Sequence, residues 1–258
     1  MKVCVTGASG RAGRAVVSDL LEHGHRVVAT DIAPPPFDDS DELDFVRADL
    51  TDYGQAFEAI DGADAVVHLA NIPAPGLRPP AVTFNQNMTM NFNVFQAAAR
   101  VGLARVVWAS SETTLGLPFD VPPRYAPVDE DHYPVPTSTY ALSKVASETV
   151  AGQIAQWSGT PFVALRFSNI LGPKDYREDF PGYWDDPMRR KWNLWGYIDE
   201  RDAAAACRLA LGADVTVSES FIIAAADTVM TRPSAGLMAQ VFPGVRLLPE
   251  VPGTATLL

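Results

Sequence analysis

The chain has 258 residues, 47% of them apolar, which allows a large buried core in one compact unit. A net charge of −11 excludes a broad nucleic-acid-binding surface, and two cysteines, Cys4 and Cys207, exclude a disulfide framework or a cysteine-built metal centre. No segment has the apolar length of a bilayer span and no leader pattern precedes the first strand, so a cytoplasmic protein without a membrane partner is expected.

An apolar strand, Val3–Thr6, runs into Gly7, Gly10 and Gly13, and a helical pattern follows over Ala12–His23 with Ala15, Val16, Leu20 and Leu21 on one face. Glycines so spaced let the backbone turn tightly and approach a pyrophosphate, while the amides of the new helix face its charge. A dinucleotide is the commonest ligand that needs this, with an ordinary strand-to-helix turn as the plainer reading. Arg11, inside the loop, is placed to meet a phosphate. The second strand, Arg26–Thr30, ends at Asp31. A carboxylate there accepts from adenosine ribose hydroxyls and repels a 2′-phosphate, favouring NAD over NADP, unless it serves only as a turn or cap residue.

Pro34-Pro35-Pro36 marks a loop, and Asp38 to Glu42 reads as a solvated acidic run. A short strand at Phe45–Arg47 leads to Asp49-Leu50, and a helix follows at Gln55–Ile60. Ala65–Leu69 is a buried strand, Asn87–Gly102 a long helix, Arg105–Ala109 a strand and Ser138–Trp157 a helix. Pro161–Arg166 is strand, Asp199–Leu211 helix, Ser220–Ala224 strand and Arg232–Val241 a weak helix. Apolar strands alternating with helices predict an α/β protein: a Rossmann-type doubly wound parallel sheet with a small C-terminal substrate-binding portion. Ligands of such sheets lie at the carboxyl ends of the strands. Two stretches, Gly116–Pro136 and Gly172–Gly196, break the rhythm and read as binding loops or as surface excursions packed by their own aromatics.

Tyr140 and Lys144 stand one helical turn apart, so phenol and ammonium share a face. A nearby ammonium lowers a phenol pKa, and a phenol so tuned exchanges a proton with a substrate hydroxyl. Ser110-Ser111, at the end of the preceding strand, supplies a hydroxyl to hold the substrate oxygen, or else caps a turn.

Taken together, the sequence from Lys2 to about Leu211 resembles the extended short-chain dehydrogenase/reductases, the NAD-dependent epimerase/dehydratase group. The resemblance rests on the glycine loop, Asp31, Asp49-Leu50, His68-Leu69-Ala70, Asn87 and Asn93, Ser110-Ser111 with Gly116, Tyr140 with Lys144, Arg166-Phe-Ser-Asn169 with Gly172-Pro173, and Tyr197-Ile-Asp199 before Arg201-Asp202. It implies that Ser9 and Ala12 complete the cofactor loop. Asp49 accepts from the adenine amino group, and Leu50 packs on the ring. Leu69, Ala70, Phe167 and Asn169 border the nicotinamide. Asn87 joins the cofactor side as a helix or loop anchor. Lys144 also bonds the nicotinamide ribose, Tyr140 is the general acid/base, and Ser111 orients the substrate. Asn71, Glu112, Thr113, Asn169 and Arg177 complete the substrate side, Arg177 as a carboxylate or phosphate binder or else a surface ion-pair partner. His68 belongs to the strand end. No metal is implied, and a homodimer through the two long helices follows by analogy.

Departures from the family pattern narrow the reading. Met90-Asn91 replaces the usual Gly-Thr, Leu115 replaces an aromatic, and Glu112-Thr113 replaces the Asp-Glu of sugar dehydratases and the Asn-His of uronate enzymes. The part after Ala225 is short for a nucleotide-sugar site, and the family's usual final helix is not visible. The expectation is a single unit, 1–258. A cofactor core spans about 1–168 and 197–225, and substrate-binding segments span about 169–196 and 226–258. The first functional reading is NAD-dependent oxidation of a hydroxyl on a free sugar or sugar acid. The others are a nucleotide-sugar 4-epimerase with retained NAD and a non-catalytic NAD(P)-binding sensor.

Overall fold

The computed structural model describes residues 1–34, 40–132, 134–248 and 251–258. The expected loop at Pro35 and Pro36 and the acidic Asp38 and Asp39 lie outside them, while Ser40, Asp41 and Glu42 are exposed. Seven parallel strands form the central sheet: β1 (Lys2–Thr6), β2 (Arg26–Asp31), β3 (Leu43–Arg47), β4 (Ala65–His68), β5 (Arg105–Ala109), β6 (Phe162–Phe167) and β7 (Ser218–Ile223). Their spatial order is β7-β6-β5-β4-β1-β2-β3, so the direction of winding reverses beside β1. The helices are α1 (Arg11–Glu22), α2 (Tyr53–Ile60), α3 (Pro80–Val101), α4 (Thr139–Ser158), α5 (Pro173–Glu178), α6 (Glu200–Leu211) and α7 (Ser234–Val241).

The two-residue period of a strand decides which helix each side chain meets. Val3, Val5, Val27, Ala29, Val67 and Val107 pack under α1 and α6, with Val16, Val17, Leu20, Ala203 and Cys207. Their neighbours in the chain, Cys4, Val28, Val66, Val106 and Trp108, pack under α2, α3 and α4, with Ala56, Ile60, Phe95 and Ile154. Phe95 meets Trp108 and Phe162 edge-on, both with ring centroids 5.2 Å apart. Burial of β1, β4, β5 and β6 on both faces is what makes them read as continuous apolar runs.

Helix α3 starts at Pro80 rather than at the expected Asn87. The reason is local. Proline suits the first turn of a helix, where its missing N–H costs nothing. Residues 80–82 and 85–86 are exposed, so the first two turns carry no apolar period to read.

A third cluster, outside the sheet, joins Leu115, Leu117, Phe119 and Val128 to Leu194, Trp195 and the C-terminal Met230, Leu237, Phe242 and Leu257. The stretch Leu115 to Val128, which the sequence division leaves with the cofactor core, therefore packs with the C-terminal portion. Gly172–Gly196 is not structureless: it contains α5 and three short 3-10 turns.

The glycine turn sets how closely α1 meets β1. Gly7 has φ +69°, and Gly10 N–H donates to the Gly7 carbonyl at 3.1 Å. A Cβ on Gly13 would stand 2.1 Å from the Gly7 carbonyl oxygen. Gly13→Ala is expected to cost at least about 1–3 kcal/mol in urea unfolding, because backbone must move to relieve the overlap. Gly236→Ala, inside α7 with nothing within 4 Å of the added carbon, is expected to be neutral or to stabilise by up to about 1 kcal/mol.

Candidate active site

A cleft of about 1120 Å³ opens along the carboxyl ends of the strands, where β1, β2, β4, β5 and β6 end. Gly7, Gly10, Arg11, Ala12 and Gly13 form its floor beside α1, and Asp31, Asp49 and Leu50 close one end. Asp31 accepts from the Ser9 amide at 3.1 Å and the Ala33 amide at 3.2 Å, so it caps this turn while also lining the cleft. Ser9 itself is not among the described lining residues. Its hydroxyl donates to the Ala33 carbonyl at 2.7 Å, and its amide holds Asp31, which does line the cleft. Asp49 accepts from the Thr51 amide and hydroxyl, at 2.9 and 2.7 Å, and these bonds hold its carboxyl below the usual range. Asn93 fixes the same segment by donating to the Leu50 and Thr51 carbonyls.

Arg11 lines the cleft, but its guanidinium donates to Asp175 at 2.6 Å and to the Ile170 carbonyl at 3.1 Å. Its charge is matched by a carboxylate on α5. Asn87 does not line the cleft. It is fully buried and grips Ile72, accepting from its amide at 2.8 Å and donating to its carbonyl at 3.1 Å. The sequence places it on the cofactor side; the structure makes it the anchor of the loop after β4.

Leu69, Ala70, Asn71, Ser111, Thr113, Tyr140, Lys144, Phe167 and Asn169 all line the cleft. Lys144 is 2% exposed, with its ammonium donating to Asn71 Oδ1 at 2.6 Å and the Ala109 carbonyl at 2.7 Å. Burial lowers its pKa to about 7, opposed by the charge of Glu148. Glu148 is itself clamped by Arg166 at 2.8 and 3.0 Å and by the Ser110 hydroxyl at 2.6 Å. Ser110 thus serves the scaffold and Ser111 faces the phenol.

The Tyr140 phenol does not behave as the sequence suggests. Burial pushes it up to about 12, the Ser111 hydrogen bond pulls the other way, and the charge of Glu112 adds to the rise. The Lys144 ammonium sits 5.6 Å from the Tyr140 ring centroid, engaged by its two oxygen acceptors. Loss of water around the phenol outweighs that cation.

Glu112, the residue after Ser111, is 3% exposed and borders the cleft. Its carboxyl accepts from Ser168 Oγ at 2.5 Å, Asn193 Nδ2 at 3.3 Å and the Asn169 amide, and burial still raises its pKa to about 7. Arg177 is not at the cleft among the described residues; it is exposed on α5. Tyr176 turns inward to Asp199, and a helix advances about 100° per residue, so Arg177 faces away.

Asn91 carries a role that the sequence reading missed. Thr6 Oγ1 accepts from the Leu69 and Ala70 amides, which leaves its own hydrogen for His68 Nδ1 at 2.7 Å. His68 Nε2 then faces Asn91 Oδ1 at 2.9 Å, and burial lowers the imidazole to about 3. Asn91 Oδ1 also accepts from Asn71 at 2.8 Å, and its amide donates to Ser147 at 2.7 Å. His68 is therefore neutral and structural, and Asn91 orients the Asn71 oxygen onto Lys144. The replacement of the family's Gly-Thr by Met90-Asn91 is the signal that could have found it. No cluster of metal-ligating side chains occurs among the described residues.

This sheet order, with a glycine turn at the foot of its first helix, defines an α/β dinucleotide-binding enzyme class. The chain belongs to the NAD dependent epimerase/dehydratase family, whose model matches residues 3–223, within the extended short-chain dehydrogenase/reductases. It is 30% identical over 186 residues to L-arabinose 1-dehydrogenase (NAD(P)(+)) of Haloferax volcanii, matching 69% of this chain and 70% of that protein. It is 31% identical over 181 residues to UDP-glucose 4-epimerase of Lacticaseibacillus casei, matching 67% of this chain but about half, 52%, of the epimerase. A UDP-galactose 4-epimerase structure is similar at TM-score 0.71 and 28% identity, covering 97% of this chain and 87% of that one. Glucuronic acid dehydrogenase from Chromohalobacter salexigens is similar in fold at TM-score 0.71 and 22% identity, covering 89% of this chain and 78% of that one. No helix among the described residues is long and apolar enough to cross a membrane.

NAD, the cofactor of the family, fits the residues present. The Gly7–Gly13 turn leaves no room for a Cβ on Gly7 or Gly13, and Asp31 and Asp49 lie at the cleft end beyond it.

The Lys144 ammonium gives a pH signature. Its folded pKa, about 7, lies below the ordinary 10.5, so the unfolded chain binds the extra proton between these values and stability rises with pH across that window. Lys144→Met removes this rise. Melting temperatures from pH 6 to 10.5 are expected to show the wild type gaining on the variant between about pH 7 and 10, with a constant difference below pH 7.

Proposed function

We propose that the chain is an NAD-dependent dehydrogenase that oxidises a hydroxyl of a free sugar or sugar acid. The observation that carries this reading is the convergence of Ser111, Tyr140 and Lys144 on the cleft that the glycine turn floors. Ser111 orients the substrate oxygen beside the phenol. Tyr140 takes the hydroxyl proton, and Lys144, held by Asn71 and Ala109, supplies the positive charge that favours the phenolate as the site fills. NAD, held along the Gly7–Gly13 turn, would supply the hydride acceptor. Asp31, at the cleft end, selects NAD over NADP by repelling a 2′-phosphate. Residues 1–168 and 197–225 form the cofactor core on this reading, with 169–196 and 226–258 on the substrate side. Two copies pair through α3 and α4, which sedimentation measures.

The likeness to 4-epimerases supports a second reading, in which the same groups act on a nucleotide sugar and NAD stays bound. Net NADH formation with added free sugar supports the dehydrogenase; tightly retained NAD without net redox supports the epimerase. A silent NAD-binding sensor has no use for all three catalytic side chains. Tyr140→Phe is expected to lower kcat by about 10²–10⁴-fold while NAD affinity by calorimetry stays near that of the wild type. Normal turnover by the variant overturns the assignment.

A further inference from the structure

The substrate end of the cleft has an unusual charge arrangement, and on the dehydrogenase reading above it names the substrate class. We infer that the site takes an uncharged sugar and rejects sugar acids and sugar phosphates, with Glu112 as the discriminating group and Trp192 as the apolar platform.

Glu112 borders the cleft directly after Ser111, so a substrate oxygen held by Ser111 brings its neighbouring substituents toward this carboxyl. Ser168, Asn193 and the Asn169 amide fix the carboxyl in place. An ionised Glu112 repels an incoming carboxylate or phosphate and accepts from a hydroxyl; a protonated one donates to a hydroxyl. Both forms suit a neutral polyhydroxy ring.

The charge of Arg190 partly offsets it, holding the Glu112 carboxyl down against the rise that burial causes, but it does so from outside the cleft lining. Arg190 is 5% exposed and is not among the described lining residues. One of its nitrogens donates to the Gly196 carbonyl at 2.8 Å, and its guanidinium lies 4.9 Å from the Trp192 ring centroid and 5.4 Å from that of Tyr183. Among the described residues, the cations that line the cleft are Arg11, Arg78 and Lys144. Arg11 is paired with Asp175, and Lys144 is held by Asn71 and Ala109. Arg78 lies on the loop between β4 and α3, which supplies none of the partners of Glu112. Arg177, the side chain that the sequence offers to an acid, is exposed on α5.

Trp192 lines the same end, with Arg190 stacked on it and its carbonyl accepting from the Phe119 amide at 3.1 Å. Leu194 and Trp195, buried at φ +52° and +59°, hold the loop in a conformation that side chains rarely adopt. The ring is thus fixed in place, ready to meet the C–H face of a sugar.

The test compares matched sugars: an aldohexose, its uronate and its 6-phosphate. NADH formation is read as kcat/KM, and binding is read by calorimetry on the protein saturated with NADH. The neutral sugar is expected to exceed both anions by about 100-fold in each readout, and Glu112→Gln is expected to shrink that gap about tenfold. Glu112→Asp, which keeps the charge, should hold the gap and serves if the Gln variant misfolds. A uronate or phosphate that matches the neutral sugar, a gap unchanged in Glu112→Gln, or loss of anion turnover in Arg78→Ala at wild-type preference for anions overturns the inference. Absence of NADH with every sugar sinks the dehydrogenase reading instead, and the calorimetric arm still decides the selectivity. No binding of the neutral sugar in that arm overturns the inference as well.

Discussion

The site depends on keeping a cation out of water. Lys144 has an ammonium with two short acceptors, Asn71 Oδ1 and the Ala109 carbonyl, and almost no solvent contact. A buried charge without such partners is costly, so its acceptors must be held as firmly as the charge itself. Asn71 is held by Asn91, Asn91 by His68 and Ser147, and His68 by Thr6. This chain runs through β1, β4, α3 and α4. The buried polar groups form one satisfied network, which is the condition under which such a network rigidifies a site instead of weakening it.

A second clamp works from the other side of Lys144. Glu148, one turn further along α4, is gripped by Arg166 from β6 and by Ser110 from the end of β5. Two successive serines thereby divide their work. Ser110 points to the scaffold, and Ser111 points to the phenol, with Thr113 donating to its oxygen from the following turn. Because β5 and β6 are adjacent strands of the sheet, the orientation of the cleft's hydroxyl is tied to sheet register.

The irregular segments gain their order from a core of their own. Leu117, Phe119 and Val128 meet Leu194, Trp195 and the C-terminal apolar residues away from the sheet. Glu112 bonds Asn193 across this junction, so the turn after β5 and the loop before α6 are joined at the mouth of the cleft. Trp192 and Glu112 face the same end for that reason.

Much of this was legible in the chain alone. Strand and helix positions followed from apolar period and from capping residues, and the glycine turn, Asp31, Ser111, Tyr140 and Lys144 announced themselves by spacing along single elements. The start of α3 was hidden because its first turns face solvent and carry no period. The direction of Arg177 was hidden because one residue along a short helix turns a side chain from cleft to solvent. Asn87 and Ser9 were read as cofactor-side residues; Asn87 holds Ile72 and Ser9 holds Asp31, both of which line the cleft. What the sequence determined by itself was the sheet, its winding and the kinds of side chain at the cleft, since these depend on local period and near-neighbour spacing. Only the tertiary structure decided that burial dominates the Tyr140 phenol, that Asn91 supports Lys144 and that Glu112 and not Arg177 lines the cleft. Desolvation and hydrogen bonding across distant elements set those outcomes, and neither is encoded at any one position of the chain.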